Sequence, residues 1–511
     1  MVGDPRGGLP APQPPPGRVL AALALLALAV RLGIALWTYS IASDSSFYLE
    51  TAALLAAGRF EDGLLLRDLH PLFPLLVAWT SPLLGGLETA AWVVSTLASS
   101  AAVFPVFFLT RTFWSDGVAK WTAFAYAIHP ILALESSDAL PTGLYLALFL
   151  AALAAGASAL RGGPWALFPA AGLAAGLAYL TRAEGIVAIA LLLAGTVLAL
   201  ARRIRKGASG REWLAFGAGV LVAAAAFNAV ALPYVAWLSR KSGKFAITRK
   251  GGTVIVDKAL GQDARDTDAL RKTAPARPYL PTIAKDFSQA CFVAHLPFLA
   301  IGFTFAGRVG GRWRTQAPLL AAGLAALAPP LLLFALNSYF RTSHRYMLAG
   351  LTLLLPWMAA GVLVLVDAAR GLAARRSWPA WLAYVPAALF LAASVGKAVR
   401  PRRADEVTFV EAGRWLAAQG SRKVLTTSPK IAWYGRCDPL AGHDWIGRPR
   451  EAWKESGADF LVLDEGSERH FQGPEYLRDL ERRGFEQAAL FDRGGRKKGL
   501  TVWIYRAKAG R

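Results

Sequence analysis

The sequence predicts a polytopic α-helical membrane protein that carries a small α/β unit after its last span. Three observations lead there. Of the 511 residues, 55% are hydrophobic, and the mean hydropathy is +0.38. Apolar runs recur down to about residue 397, each long enough to cross the ~30 Å of hydrocarbon that takes ~20 helical residues. From about residue 404 the pattern changes to alternating helix and strand signals, the mark of an α/β unit.

The elements follow in order. "MVGDPRGGLPAPQPPPGR" at 1–18 is rich in Pro and Gly and is expected to be a disordered cytoplasmic tail. Spans are expected near 19–42, 87–110, 118–134, 140–160, 164–181, 185–201, 212–237, 291–307, 317–337, 346–366 and 380–397, about eleven helices in a 19–400 domain. The first run is longer than a signal h-region and lacks a small-residue cleavage site, so it is read as a retained helix. The loop 43–86 is expected to hold interfacial helices. In "DSSFYLETAALLAAGRF", Phe47, Leu49, Ala52, Ala53 and Leu55 are spaced by polar residues, and "HPLFPLLVAW" opens a second, shorter helix with Pro71 in its first turn. His129–Pro130, inside a span, reads as structural, and the GxxxG spacing at 172–176 as helix packing. In 404–511, helices are expected at "EVTFVEAGRWLAAQG", "PREAWKESGA" and "EYLRDLERRGF". Strands are expected at "KVLTTSP", "DFLVLDEG" and "LTVWIYRA".

A net charge of +22 would suggest nucleic acid in a soluble chain; here it reads as topology, with no nucleic-acid partner. Arg202, Arg203, Arg205, Lys206 and Arg211 form one cluster, Arg308, Arg312 and Arg314 a second, and Arg370, Arg375 and Arg376 a third. Basic short loops stay in the cytoplasm and attract anionic membrane lipids. An inside N-terminus puts every cluster inside and the segment after 398 outside, in a cytoplasmic (inner) membrane. Only Cys291 and Cys437 occur, both on the expected outer side, where a disulfide is permitted. No Cys/His metal spacing is present.

The outer turns carry the chemistry. Asp44 follows the first span; Glu135 and Asp138 stand in "LESSDALP", where Asp138 also reads as a cap for the helix behind Pro141. Arg182 ends a span in "YLTRAEG", and Arg341, His344 and Arg345 lie in "FRTSHRY". Arginines facing outward run against the usual bias of short turns, and an anion held there would explain them, since guanidinium suits phosphate. Arg31, inside the first span, is expected to pack in the bundle or snorkel. Acids beside arginines at a membrane surface suggest sugar transfer from a polyprenyl phosphate. The phosphate leaves as an anion that arginines stabilise, and a carboxylate removes the proton of the acceptor hydroxyl. The rival readings are a transporter of lipid-linked sugars, whose polar groups would gather at mid-membrane, and a non-catalytic scaffold.

"SDSSFYLETAALLAAGRF", "LHPLFPLLVAW", "YLTRAEGI" and "HRYMLAGLTLLLPWMAAG", in that order, resemble the GT-C membrane glycosyltransferases over roughly residues 19–400. The likeness is to the bacterial group related to protein O-mannosyltransferases, aminoarabinose transferases and lipopolysaccharide galacturonosyltransferases. The resemblance implies a polyprenyl- or dolichyl-phosphate sugar donor, an inverting transfer and an outward-facing site. It maps the acid–base residue onto Asp44 and donor-phosphate ligands onto Arg182 and Arg345, with Arg341 beside them. Where relatives carry a Glu in the second outer turn this chain has Thr142, which leaves Asp138 as the second acid. Tyr48, His70, Glu135, Glu184, His344 and Tyr346 are candidate substrate contacts. The sugar and the acceptor (lipid, glycan or protein) stay open, as does a divalent cation between the two outer acids.

Overall fold

The computed structural model describes residues 17–66, 69–205, 207, 210–248, 279–309, 313–336, 343–426, 428–440, 449–465, 474–492 and 500–508. Lys206, Arg312 and Arg341, named above, lie outside them, as do residues 1–16 and most of the 238–290 loop.

The first helix, α1 (Gly17–Leu36), stops well before the expected residue 42. The chain then runs extended, and Thr38 bridges Arg402, with Tyr39 N–H donating to the Arg402 carbonyl and Arg402 N–H to that of Trp37. Three short helices follow: α2 (Ser43–Ala56), α3 (Phe60–Leu66) and α4 (Leu72–Thr80). The apolar side of α2 does not simply lie on a membrane surface. Leu49, Ala52 and Leu55 are buried with Phe73 and Val77 of α4 and with Ala90 and Ala91 of α5 (Leu87–Ala101).

Next come α6 (Val103–Phe113), α7 (Asp116–Ile128), α8 (Pro130–Ser136), α9 (Thr142–Leu160), α10 (Leu167–Thr181), α11 (Ile186–Arg205) and α12 (Gly210–Ser242). The expected span 118–134 is broken at His129–Pro130. His129 caps α8 by accepting the Leu132 N–H, and Pro130 starts that helix, where its missing N–H costs nothing. Arg31 is wholly buried and pins α1 to this region. Its Nε donates to Ser99 Oγ (2.6 Å) and Ser136 Oγ (3.3 Å), its Nη1 to the Ala127 carbonyl (3.0 Å), and it sits over the Tyr126 ring. Gly172 and Gly176 face α12, as the small-residue spacing implied.

After Tyr279 the chain forms α13 (Tyr279–Cys291), α14 (Leu296–Phe305), α15 (Trp313–Leu336), α16 (Leu348–Arg375) and α17 (Val385–Ala398). The expected span 291–307 is the second arm, Val293–Val309, of a pair bent by 75°, and its first arm, Tyr279–Cys291, falls mostly in what was expected to be loop. Among the described residues, seven helices are long and apolar enough to cross a membrane, or eight if that bent pair is one span; α10 is apolar but 15 residues long. The buried spine is α16, where Leu348–Val362 is enclosed throughout. It meets α14 at a double glycine contact: a Cβ at Gly302 would stand 1.7 Å from the Trp357 carbonyl oxygen, and one at Gly361 1.8 Å from that of Phe298. Cys291 and Cys437 are both free and buried.

Residues 404–508 hold α18 (Val407–Ala418), α19 (Pro429–Gly435), α20 (Pro449–Ser456), α21 (Pro474–Arg482) and a five-stranded sheet ordered β2-β1-β3-β5-β4. The strands are β1 (Lys423–Thr426), β2 (Asp438–Leu440), β3 (Phe460–Asp464), β4 (Phe485–Phe491) and β5 (Val502–Ala507). β1 runs parallel to β2 and β3, whereas β5 is antiparallel to both β3 and β4. Alternation at period two sends Val424, Val462 and Ile504 toward α18 and α19, and Leu425, Leu461 and Tyr505 toward α20 and α21.

The α14–α16 contact gives a first prediction. Gly361→Ala should cost at least the ~1–3 kcal/mol of an overpacked core and lower the melting midpoint in detergent. Gly371→Ala, which meets no atom within 4 Å, should leave the midpoint unchanged or slightly raised.

Candidate active site

Four chain segments meet at one end of the bundle: the start of α2, the 135–142 turn, the 182–185 turn and the 343–347 turn. Asp44 stands in the first turn of α2, where a helix N-terminus favours negative charge. Arg182 follows α10 in an extended conformation, and a short 3₁₀ turn (Ala183–Gly185) folds back on that helix. The fold-back requires glycine, since a Cβ at Gly185 would lie 2.3 Å from the Tyr179 nitrogen. Ser343 caps the next turn by accepting the Arg345 N–H, which sets Arg345 and Tyr346 at the head of α16.

These turns enclose a cavity of about 380 Å³ whose lining includes Asp44, Tyr48, Thr142, Arg182, Arg345 and Tyr346. Arg345 links it to the interior. Its Nη1 donates to Asp44 Oδ2 at 2.8 Å, and its Nε pairs with Glu135 Oε2 at 2.7 Å. The Asp44 side chain is 58% exposed and that of Glu135 only 7%. Arg182 is held by Glu184 at 3.0 Å and lies between the rings of Tyr145 and Tyr346, 5.6 and 5.3 Å from their centroids.

Behind the cavity the charges continue. Glu135 Oε1 meets His344 Nε2 at 3.2 Å and Arg402 Nη2 at 3.6 Å. Arg402 also donates to the Leu134 carbonyl (2.6 Å) and pairs with Asp138 at 3.5 Å. Asp138 is fully buried and clasped by Arg403, which reaches the Ser40 carbonyl at 2.8 Å. Burial works to raise the Glu135 carboxyl, but the hydrogen bond from His344 and the charges of Arg345, His344 and Arg402 outweigh it and hold the group down at about 2.

The expected residues therefore divide. Asp44, Tyr48, Arg182, Arg345 and Tyr346 line one cavity; Glu135 and Glu184 hold its arginines from behind, and His344 holds Glu135. Asp138, expected as a second acid, faces away from the cavity and binds the chain that enters the C-terminal sheet. His70 is also outside the cavity lining. It is buried against the rings of Tyr179 and Tyr234, with Nε2 at 3.3 Å from Thr248 Oγ1. Sequence reasoning missed Arg402 and Arg403. Their signal was the "RPRR" run at 400–403, basic residues on the expected outer side, as with Arg182. Among the described residues no three His, Cys, Asp or Glu side chains group as a metal would need, and Asp138 is already engaged by cations.

A larger groove of about 1120 Å³ lies on the opposite face of α2, against α18 and α19, with Glu50, Glu88, Arg59, Arg414 and Trp433 in its walls.

No protein-family model matches the chain, and neither does any curated protein sequence. Solved structures do. ArnT from Cupriavidus metallidurans bound to undecaprenyl phosphate matches with a TM-score of 0.58 at 12% identity, over 96% of this chain and 97% of that one. The Archaeoglobus fulgidus oligosaccharyltransferase AglB, in complex with an inhibitory peptide and a dolichol-phosphate, matches at 0.52 and 14% identity, over 88% and 69%. The mycobacterial arabinofuranosyltransferase AftD matches at 0.52 and 14%, over 96% of this chain and 42% of that one. All three are GT-C glycosyltransferases, and this chain has their fold.

The ion pairs behind the cavity carry a prediction. The Glu135 carboxyl sits near 2 against an ordinary 4.5, so its stabilisation is complete above pH 4.5 and lost as the pH falls through about 2. Glu135→Gln, which removes the buried carboxylate shared by Arg345 and Arg402, should cost about 3–5 kcal/mol at pH 7. Its melting midpoint should fall less than that of the wild type between pH 4.5 and 2.

Proposed function

We propose that this chain, with its GT-C fold, is an integral membrane glycosyltransferase that moves a sugar from a polyprenyl-phosphate donor to an acceptor nucleophile at the outer face of the membrane. The observation that carries the reading is a carboxylate and two guanidinium groups, from distant parts of the sequence, sharing one cavity. In the proposed topology about eleven crossings start from a cytoplasmic N-terminus, and the sheet after residue 404 lies outside.

The chemistry follows from the groups present. An acceptor hydroxyl attacks the anomeric carbon, the bond from that carbon to the phosphate oxygen breaks, and polyprenyl phosphate departs. Asp44 takes the hydroxyl proton, a task worth about 10²–10⁴ in rate. Arg345 and Arg182 stabilise the phosphate anion as it separates. A base on one side and a leaving group on the other give displacement with inversion.

Arg345 also imposes an order. Its guanidinium carries more N–H groups than the two carboxylates use, and Asp44, which lines the cavity, takes up its Nη1. A donor phosphate competes with Asp44 for Arg345, so donor binding frees the carboxylate to meet the acceptor. Asp44 is then a base only beside a bound donor. Tyr48 and Tyr346, which line the cavity, are placed to contact the sugar.

Asp44→Asn should lower sugar transfer about 10²–10⁴-fold while binding of undecaprenyl phosphate is kept or strengthened. Arg345→Gln should weaken that binding and the transfer together. Unaltered transfer in Asp44→Asn refutes the assignment of the base. Transport of a lipid-linked sugar without any transfer, unaffected by this substitution, would favour a flippase.

A further inference from the structure

The other end of the bundle holds a further concentration of positive charge. A crevice of about 360 Å³ opens there between α6, α9, α11 and α15. Its walls are apolar, and many of the residues are small: Ala152, Gly156, Ala157, Ala194 and Gly195 leave room where larger side chains would close the helix contacts. Part of the wall is open, since Leu198 is 57% exposed. Arg161, at the end of α9, and Arg202, in the last turn of α11, stand together at its rim.

These arginines are placed but not neutralised. Arg161 Nη1 donates to the Thr112 carbonyl, and its guanidinium lies 4.5 Å over the Phe113 ring. Among the described residues no carboxylate pairs with Arg161 or Arg202. Burial and then the like charge of Arg202 push the Arg161 guanidinium down from its ordinary value. A cation pair of this kind calls for an anion, and the apolar slot beneath it calls for a hydrocarbon chain.

We propose that this crevice binds an anionic phospholipid from the leaflet opposite the candidate active site, its phosphate between Arg161 and Arg202 and one acyl chain between the helices. Basic pockets between transmembrane helices at the cytoplasmic side take such headgroups, and guanidinium grips phosphate oxygens with two parallel bonds. Free phosphate makes no use of the apolar walls. A zwitterionic headgroup brings its own cation toward the arginines and loses the electrostatic gain. The site stands at the opposite end of the molecule from Asp44 and does not depend on the proposed reaction.

The test is the melting midpoint of the full chain in detergent, titrated with phosphatidylglycerol, phosphatidylcholine, inorganic phosphate or undecaprenyl phosphate. Phosphatidylglycerol should raise the midpoint saturably, whereas phosphatidylcholine and phosphate should not. Arg161→Gln/Arg202→Gln should weaken the phosphatidylglycerol response at least tenfold. Ala194→Phe, which fills the slot from an exposed position and keeps both arginines, should weaken it similarly. Both variants should melt like the wild type without added lipid, and native mass spectrometry should count one fewer retained anionic lipid in each. Equal response to phosphatidylcholine, or a phosphatidylglycerol response untouched by both variants, overturns the proposal. So does an undecaprenyl phosphate response that disappears in the double variant.

Discussion

The site end of this molecule depends on one buried charge. Glu135 has almost no contact with solvent, and an ion in that position is tolerable only when it is paired and hydrogen-bonded. Arg345, Arg402 and His344 supply the pairing. Because Arg345 is fixed from behind by Glu135, its other nitrogen is presented to the cavity, where it meets Asp44. The geometry of the Asp44–Arg345 pair is thus set by a residue that does not line the cavity. A guanidinium tethered at one nitrogen and offered at another loses little freedom when it meets a phosphate, which is the advantage of a preorganised electrostatic site.

The same charge couples the C-terminal sheet to the membrane helices. Arg402 and Arg403 lie where the chain leaves α17 for α18, and they neutralise Glu135 and Asp138. Next to them the backbone pairs with residues 37–39, and Glu406 reaches both Ser40 and Lys430. Tyr434 of α19 accepts the Ile41 N–H at 3.0 Å. The strand-like segment between α1 and α2 is therefore held by the C-terminal part of the chain just before Asp44 begins its helix. Loss of Arg402 and Arg403 would leave Asp138 buried without its cations.

Much of this was legible in the sequence, for physical reasons that also explain what was not. Asp44, Arg182 and Arg345 stood out because charge at the edge of an apolar run is costly unless it has a use. The break at His129–Pro130 was visible as a residue pair but was read as lying within a span, since hydropathy averages over a window and does not register a single missing N–H. The bend between α13 and α14 turns on the positive φ of Phe292, which no residue type in the sequence announces. β1, β3 and β5 fell where alternation placed them, whereas β2 is three residues long and β4 has a register shift, so neither offers a clean period. The partners of Asp138 were not legible because the cations that pair with it lie some 265 positions away. Local pattern carries no information about pairing at that distance.

The central claim is that Arg345 passes from Asp44 to the donor phosphate. A structure of the chain with bound undecaprenyl phosphate tests it most directly. The expected result is phosphate oxygens against Arg345 and Arg182, Glu135 still on the Arg345 Nε, and the Asp44 carboxylate released into the cavity. A phosphate bound elsewhere, with the Asp44–Arg345 pair intact at its 2.8 Å spacing, would contradict it.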